Sequence, residues 1–530
     1  MLSAFTSSWH CSARHEHHEE TSDAARSPRP VSDDTVSQET NAGTLPPRHL
    51  FRAIVPPVIL PVFLAAADGT VVATALPAIA AAFGEVERLS WLVIANLIAS
   101  TIAAPAYGRL ADLFGRRPMM VVALAIFMTA SLGCALAPTF DTLLLARVLQ
   151  GLGGGGLMTL AQALIGEFVP ARQRGSYQGY LSANIVAGAA FGPVAAGFLT
   201  GHFGWPSIFL ANLPLGFIAI ALILRMPRGQ RPAGGGGGFD IAGLVLLTGF
   251  IVPLLLAVSQ LQRLDPAGLP RLGGLLLAAG LGLAVLLWQQ RRARAPILAL
   301  PLLKLPAFWR ADVMAACSGA ALTAMMTFLP IYLQAVMGAT SSETGLLLIP
   351  LTVSVSSGSV LTGWLVSRTG RTAIFPMIGL TVTALTMLFL AYAAGGMSRP
   401  MLSWVLALGG LCQGSAMLTA QITVQKVASA RYLGAAAASA QLARSLGSAF
   451  GAAAAGAVLF GLLSAHDPEV AALFFEMVRR GPSVLLSQTE GQQAVARAAI
   501  ASAFSGVFLL VAAISCLSVA MSATLPVRRL

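Results

Sequence analysis

The chain has 530 residues and a mean hydropathy of +0.77, with 56% hydrophobic and only 10% charged residues. Because about 20 apolar residues form a helix that crosses a bilayer, this composition excludes an ordinary soluble domain and predicts an all-α polytopic membrane protein. The net charge of +12 would suit a nucleic-acid-binding protein, but the arginines lie in polar gaps between apolar runs, where membrane topology explains them.

The first 52 residues are polar and predict a disordered cytoplasmic tail. Four histidines cluster in it, at His10, His15, His17 and His18. A solvated tail accounts for them by composition, and a metal-binding role is the alternative that the sequence leaves open.

Fourteen apolar runs follow the tail, and each is long enough for a transmembrane helix. They cover residues 54–77, 90–108, 118–137, 142–166, 177–200, 207–226, 239–259, 272–290, 309–335, 344–366, 374–394, 401–424, 436–463 and 501–525. With the amino terminus inside, nineteen Lys and Arg fall in the short cytoplasmic loops and the carboxyl end, against seven in the outer loops. The positive-inside rule therefore predicts that both termini are cytoplasmic.

The polar loop between the second and third runs combines three arginines with Asp112. An acid among the arginines indicates an ordered ion network, in which the carboxylate pairs with arginine and with the amino-terminal end of a neighbouring helix. We interpret it as a conformational latch on the cytoplasmic side, although a signal for topology alone is the alternative. The latch residues are Gly108, Arg109, Asp112, Gly115, Arg116 and Arg117.

Parts of the sequence recur in the second half of the chain. The pattern that starts at Gly108 returns at Gly363, and the pattern that starts at Gly188 returns at Gly447. Two such halves around a central site are typical of alternating-access transporters. We therefore predict six-helix bundles at 53–227 and 305–530, with a linker and an inserted helix pair between them at 228–304.

Four motifs in this order resemble those of the major facilitator superfamily, and specifically of its fourteen-helix drug:proton antiporter branch. They are the loop from Gly108 to Arg117, Arg147-x-x-Gln150-Gly151, the stretch from Gly188 to Gly197, and Asp68-x-Thr70 with Ala75-Leu76-Pro77. The resemblance covers nearly everything after the tail. It implies a major facilitator fold and proton-coupled export by alternating access.

Asp68 stands in an apolar run with no other acid before Glu85. An ionised carboxylate inside a bilayer is costly unless it is paired, and intramembrane acids are functional by default. The resemblance implies that Asp68 carries the proton; an aspartate that only packs helices is the alternative. Arg147 is the basic residue deep in the first half, and we expect it to tune Asp68 unless it snorkels to the lipid headgroups.

The glycines of the Gly188 to Gly197 stretch allow helix backbones to approach closely, while Pro193 interrupts the hydrogen-bond ladder. We predict an antiporter hinge and seal at Gly188, Gly192, Pro193 and Gly197. The second copy has Ala452 in place of the proline, so only the first is expected to bend.

The tenth run contains no acid, which leaves Asp68 as the expected sole membrane carboxylate and favours monovalent or neutral cargo. Several polar side chains within the runs are candidates for the substrate cavity, although each could instead pack between helices. They are Asn96, Gln150, Gln162, Asn184, Gln334, Gln413, Gln421 and Gln441.

The sequence therefore predicts a monomeric multidrug exporter of hydrophobic or amphipathic compounds in the bacterial inner membrane. A dedicated exporter of one metabolite or antibiotic is the alternative. An enzyme is disfavoured because the runs show no nucleophile, base or metal cluster, and a channel because the halves are unequal. We expect no cofactor, no metal and no nucleic acid, with energy from the proton-motive force. Whether a periplasmic adaptor protein joins it is left open.

Overall fold

The computed structural model describes residues 47–85, 88–227, 238–261, 268–293, 296–298, 300–428, 432–480 and 489–525. This part of the chain is built from α-helices. They are α1 Pro47–Phe83, α2 Ser90–Phe114, α3 Arg116–Ala135, α4 Phe140–Phe168, α5 Arg174–Phe203, α6 Ser207–Leu210, α7 Asn212–Arg225, α8 Ile241–Leu261, α9 Leu269–Arg292, α10 Leu300–Leu303, α11 Pro306–Ala335, α12 Ser341–Thr369, α13 Ile374–Ala393, α14 Arg399–Val427, α15 Leu433–His466, α16 Pro468–Arg480 and α17 Glu490–Ala523.

The described residues contain fourteen candidate membrane spans, which confirms the predicted number. Most helices extend past the apolar runs, because backbone hydrogen bonding continues into polar residues that a hydropathy pattern leaves out. Thus α1 begins at Pro47, inside the predicted tail, and the sixth span is interrupted at Ala211 between α6 and α7. The histidine cluster lies outside the described residues.

The helices pack as two sets of six spans and a pair. The first set comprises α1 to α7, in which α2 and α3 both pack on α4. The second comprises α11 to α15 with α17, in which α11 packs on α15 and α12 on α14. The inserted helices α8 and α9 pack against each other, and α8 also contacts α2 and α15.

The amphipathic helix α16 follows α15 and packs part of its surface against α15. Phe474 and Met477 are buried, and the ring of Phe474 lies 5.8 Å from that of Phe460 in α15. Burial of these side chains gives α16 its place in the fold, since apolar area removed from water is the main stabilising contribution of such a short helix.

The seam between the two sets is formed by α5 along α12 and by α2 along α15. We call the end at which Gly115 turns the chain from α2 into α3 the loop end, and the other the opposite end. Within the part of the chain that is described, the hydrogen bonds across the seam lie between the loop end and the middle of the helices. They join Asp112 to Gly434 and Ala435, Ser176 to Ser367, Ser356 to Ala183, and Gln425 to Gln162.

Toward the opposite end, α5 loses its close neighbours on one side. A Cβ atom added at Gly197 or at Gly201 would meet no atom within 4 Å. The large side chains of Val194 and Phe198 are exposed on the same stretch. The two sets are therefore joined toward the loop end, and this face of α5 has no close neighbour beyond Pro193 among the described residues.

A row of glycines seats α4 against its neighbours in the first set. A Cβ atom at Gly153 would come within 2.6 Å of the Phe127 backbone nitrogen, and one at Gly151 within 2.9 Å of the Ala99 side chain. Gly155 faces the Ser100 backbone, with its carbonyl carbon 2.8 Å from where a Cβ would stand. Because backbone cannot move aside as a flexible side chain can, these positions admit only glycine.

We expect Gly155→Val to destabilise the protein by about 1–3 kcal/mol or more, because the new side chain would overpack the contact between α2 and α4. Gly280→Val in α9 is the matched control, since a Cβ there would meet nothing within 4 Å. The measurement is the thermal midpoint of the detergent-purified protein, followed by size-exclusion chromatography. Equal midpoints for the two variants would contradict the close approach of α2 to α4.

Candidate functional site

Asp68 lies near the centre of the membrane span of α1 and is only 5% exposed. Its Oδ2 accepts a hydrogen bond from Arg147 Nη1 at 2.6 Å, and its Oδ1 accepts one from Gln150 Nε2 at 2.8 Å. Both partners are on α4, three residues apart, so a single helix face presents the cation and the amide. The contact between Asp68 and Arg147, which the sequence did not decide, is direct.

Gln150 connects this ion pair to further helices. Its Oε1 accepts from Arg147 Nη1 at 2.6 Å, and its Nε2 also donates to Ser131 Oγ of α3 at 2.8 Å. Asn212, the first residue of α7, donates to the same hydroxyl at 3.3 Å. Neither Ser131 nor Asn212 was predicted, because an isolated hydroxyl or amide in an apolar run carries no periodic signal. The site thus ties α1, α3, α4 and α7 together.

Arg147 is enclosed by protein, with an exposed fraction of 1%, so it does not snorkel to the lipid headgroups. Its Nε donates to the Leu92 carbonyl at 3.4 Å, and its guanidinium lies 6.0 Å from the ring centre of Phe209. Among the described residues, Nη2 has no hydrogen-bond partner. Loss of the Asp68 charge would leave this cation buried and unpaired, a costly state that favours rearrangement.

The predicted hinge in α5 packs on α1 beside Asp68. A Cβ atom at Gly188 would lie 3.1 Å from the Phe63 carbonyl oxygen, and one at Gly192 3.1 Å from that of Ala67. Pro193 follows inside α5 without ending the helix. The backbone of α5 therefore approaches α1 between Phe63 and Thr70, the stretch that contains the buried carboxylate, while a Cβ atom at Gly197 would meet no atom within 4 Å.

Asp112 bridges the seam at the loop end. Its Oδ1 accepts from the backbone N–H of Gly434 at 3.1 Å and its Oδ2 from that of Ala435 at 3.2 Å. Both groups belong to the first turn of α15, whose N–H groups have no partner within the helix and which carries the positive end of the helix dipole. A carboxylate of the first set thus caps a helix of the second.

Arg116 lies behind this cap, with Nη2 3.4 Å from Asp112 Oδ1 and Nη1 2.9 Å from Glu167 Oε2 of α4. Arg109 is half-buried on α2. Among the described residues Arg117 forms no ion pair with this group; it donates to the carbonyls of Ile223 at 3.0 Å and of Leu224. Both carbonyls lie in the last turn of α7, where that of Ile223 also accepts the Met226 N–H, so Arg117 binds within the first set.

Glycines bring the latch helices into contact. A Cβ atom at Gly108 would lie 2.7 Å both from the Ala438 Cβ and from the Gly434 carbonyl oxygen. Gly115 has a φ angle of 92°, which L side chains rarely adopt, and it lets α3 begin immediately after α2. The two predicted glycines therefore have distinct roles, one in packing and one in the turn.

The second copy of the latch pattern makes the equivalent contact in weaker form. Ser367 of α12 accepts from the backbone N–H of Ser176 in the first turn of α5 at 3.1 Å. Gly363 faces Gly175 across the seam, as Gly108 faces Gly434. The serine takes one backbone hydrogen bond and has no charge, so the two latches are unequal.

Of the predicted cavity residues, Gln150 is the one that contacts Asp68. Asn184 Nδ2 donates to the Ile59 carbonyl at 2.9 Å, which makes it a link between α5 and α1. The remaining residues occupy different surroundings. The Gln162 carbonyl accepts from Gln425 across the seam, Gln413 donates to the Ser318 carbonyl, Gln441 accepts from Arg444, Gln421 is buried in α14, and Asn96 and Gln334 are half-buried in α2 and α11.

Asp68 is not the only buried carboxylate in the candidate spans of the described chain. Asp312 lies within the first two turns of α11 and is 9% exposed. Because α11 begins at Pro306 rather than at residue 309, Asp312 is carried further into the helix than the hydropathy pattern indicated.

A family model and similar proteins both indicate the same family. The model of the Major Facilitator Superfamily matches residues 58–452. The chain is 33% identical over 404 residues to the multidrug transporter protein MdtP of Bacillus subtilis, covering 76% of this chain and 74% of that protein. It is 32% identical over 410 residues to the uncharacterized MFS-type transporter Rv1877 of Mycobacterium tuberculosis, covering 77% of this chain and 59% of that protein.

Solved structures match in fold. The structure of the proton:xylose symporter XylE superposes with a TM-score of 0.60 at 15% identity, covering 90% of this chain and 96% of that one. The human organic anion transporter MFSD10 superposes with a TM-score of 0.59 at 16% identity, covering 89% of this chain and all of that one.

We expect Asp112→Ala to loosen the loop end more than Ser367→Ala does, because the aspartate provides two backbone hydrogen bonds and an ion pair. Each buried hydrogen-bond donor left without its acceptor costs about 1–3 kcal/mol. The measurement is the alkylation rate of Ser356→Cys, which lies in the seam outside both latches, in a cysteine-free background. Equal rates in the two alanine variants would contradict an unequal pair of latches.

Proposed function

The chain belongs to the major facilitator superfamily, and we propose that it is a proton-coupled exporter of hydrophobic or amphipathic compounds across the bacterial inner membrane. The hydrogen-bonded group of Asp68, Arg147 and Gln150 carries the proposal. It provides one carboxylate that can bind a proton inside the bilayer and one cation whose position depends on the carboxylate charge.

The coupling follows from the charges of this group. When Asp68 is ionised, it is held by Arg147 Nη1 and by Gln150 Nε2. A proton that reaches Asp68 removes the charge that holds Arg147, whose Nη2 has no hydrogen-bond partner in the described part of the chain. The arginine and α4 then gain freedom to move, which biases the two sets toward the alternative arrangement.

In this proposal the loop end and both termini face the cytoplasm, since most Arg and Lys of the short loops lie on that side. The described arrangement, joined at the loop end, would then be closed to the cytoplasm and open outward. Asp68 would take up its proton from outside, and the latch at Asp112 would break to admit substrate from inside. We propose that a single chain suffices, with the proton-motive force as the energy source.

The substrate class is inferred from the lining of the transporter and from its relatives. A cavity of about 470 Å³ opens between α5 and α12, with Tyr180, Val360, Leu361 and Trp364 among its lining residues. Such apolar walls suit lipophilic compounds that enter from the bilayer. MdtP is named a multidrug transporter, whereas another relative, 32% identical, is named the acurin A biosynthesis cluster MFS-type transporter. Export of one metabolite is accordingly the second candidate function.

We expect lipophilic cations and neutral antibiotics to dissipate a preset pH gradient in everted vesicles that contain the wild-type protein. Asp68→Asn should abolish this response, because an amide cannot carry the proton. The matched control is Glu343→Gln, which removes an exposed carboxylate that pairs with Arg399. Fluorescence of a pH-sensitive dye reports the gradient.

The number of compounds that release protons distinguishes the two candidate functions. Release of protons by several unrelated compounds supports multidrug export, and release by a single compound supports a dedicated exporter. If Asp68→Asn responds like the wild type, Asp68 is a packing residue and the coupling mechanism is wrong.

A further inference from the structure

A second buried carboxylate lies in the other set of helices. Asp312 of α11 is 91% enclosed, and its Oδ2 accepts a hydrogen bond from Ser439 Oγ of α15 at 2.6 Å. Its Oδ1 is buried and has no hydrogen-bond partner among the described residues. Asp68, by contrast, has a partner on each of its carboxylate oxygens.

No cation of the described chain forms an ion pair with Asp312, although charged side chains occur on the neighbouring helices. Arg310, on α11 itself, donates to the Thr524 carbonyl of α17. Arg444 on α15 donates to Gln441, and Asp112 on α2 is engaged with α15 and Arg116. Other charged groups of the surrounding elements include Lys426 on α14, Arg109 on α2 and the exposed Lys304 after α10, while Arg399 of α14 and Arg497 of α17 lie at the far ends of their helices.

A buried carboxylate with one hydroxyl partner and no cation is poorly stabilised in its ionised form. Burial without a counter-charge is resolved in proteins by taking up a proton, which makes the group neutral. The neutral acid leaves one polar atom unpaired, whereas the ionised group would leave a whole charge unpaired. Protonation is therefore the state that this enclosure favours.

The position of Asp312 links it to the latch. Its partner Ser439 lies one helical turn beyond Ala435, whose N–H is capped by Asp112. Ser439 also borders a small void that Pro105 of α2 and Phe308 of α11 line. The first two turns of α15 thus hold a carboxylate from each set of helices, and separation of α2 from α15 would bring water to Ser439.

We propose that Asp312 is a second proton-binding site, which holds a proton while α2 and α15 are latched and releases it to water when they separate. The inference rests on the proposed function for its role in transport, where it adds one proton to the cycle of Asp68. The proton-binding step itself requires no substrate and is tested without one.

The test is infrared spectroscopy of the full chain in lipid, which detects the carbonyl stretch of protonated carboxylic acids. The difference between wild type and Asp312→Asn should contain a protonated-acid band at neutral pH. The difference between wild type and Glu343→Gln should contain none, because Glu343 is exposed and paired. Absence of the Asp312 band at neutral pH would overturn the proposal.

Two further comparisons test the link to the latch. Ser439→Ala removes the donor that favours the ionised form, so the Asp312 band should persist to higher pH than in wild type. The same difference is then measured between Asp112→Asn and the double variant Asp112→Asn with Asp312→Asn. The Asp312 band in this difference should be smaller than in the wild-type difference at the same pH, because the loosened seam admits water. A band that is unchanged by Asp112→Asn would overturn the release step.

Transport provides the remaining readout, with ethidium as the probe. Asp312→Asn should lower the number of protons released per ethidium exported from two to one in vesicles. An unchanged ratio would overturn the role of Asp312 in the cycle. If wild type itself releases no protons, the proposed function fails, while the infrared result still decides whether Asp312 binds a proton.

Discussion

The buried ion pair of Asp68 and Arg147 constrains the rest of the structure. Two charges at 2.6 Å inside a helix bundle are stabilised by hydrogen bonds to the polar atoms around them. Gln150 provides most of these bonds, because its amide is shared between the carboxylate, the guanidinium and Ser131, whereas Arg147 Nη2 has no hydrogen-bond partner among the described residues. Glycines position the helices around this pair: those of α4 pack that helix closely against α2 and α3, and those of α5 pack α5 closely against α1.

The same constraint makes the site suitable for coupling. A packed bundle responds to a change in one buried charge by switching between discrete arrangements rather than by deforming continuously. The seam offers such a choice, since its polar contacts lie toward the loop end and one face of α5 has no close neighbour beyond Pro193 among the described residues. In the proposed mechanism, the charge at Asp68 near mid-span and the cap at Asp112 at the loop end act on the same rearrangement.

Internal duplication explains why the seam contains two similar contacts, and sequence divergence between the copies makes these contacts unequal. The contact of Gly108 and Asp112 with α15 is repeated by Gly363 and Ser367 with α5. Replacement of the aspartate by a serine leaves one strong and one weak latch. The contact of α2 with α15 is therefore the stronger of the two at the loop end.

The sequence by itself was sufficient to predict the number of spans and the family. It also singled out Asp68, Arg147 and Asp112 as candidate site residues. Apolar runs, repeated motifs and isolated charges are local or periodic features, and each can be recognised in the sequence without knowledge of the fold. Tertiary structure alone decided which side chains meet. It joined Gln150 to Asp68, turned Arg117 toward α7, made Asn184 a link to α1, and enclosed Asp312 against Ser439. The rotation of each helix about its axis sets these contacts, and that rotation results from packing among many helices, which no single run of sequence encodes.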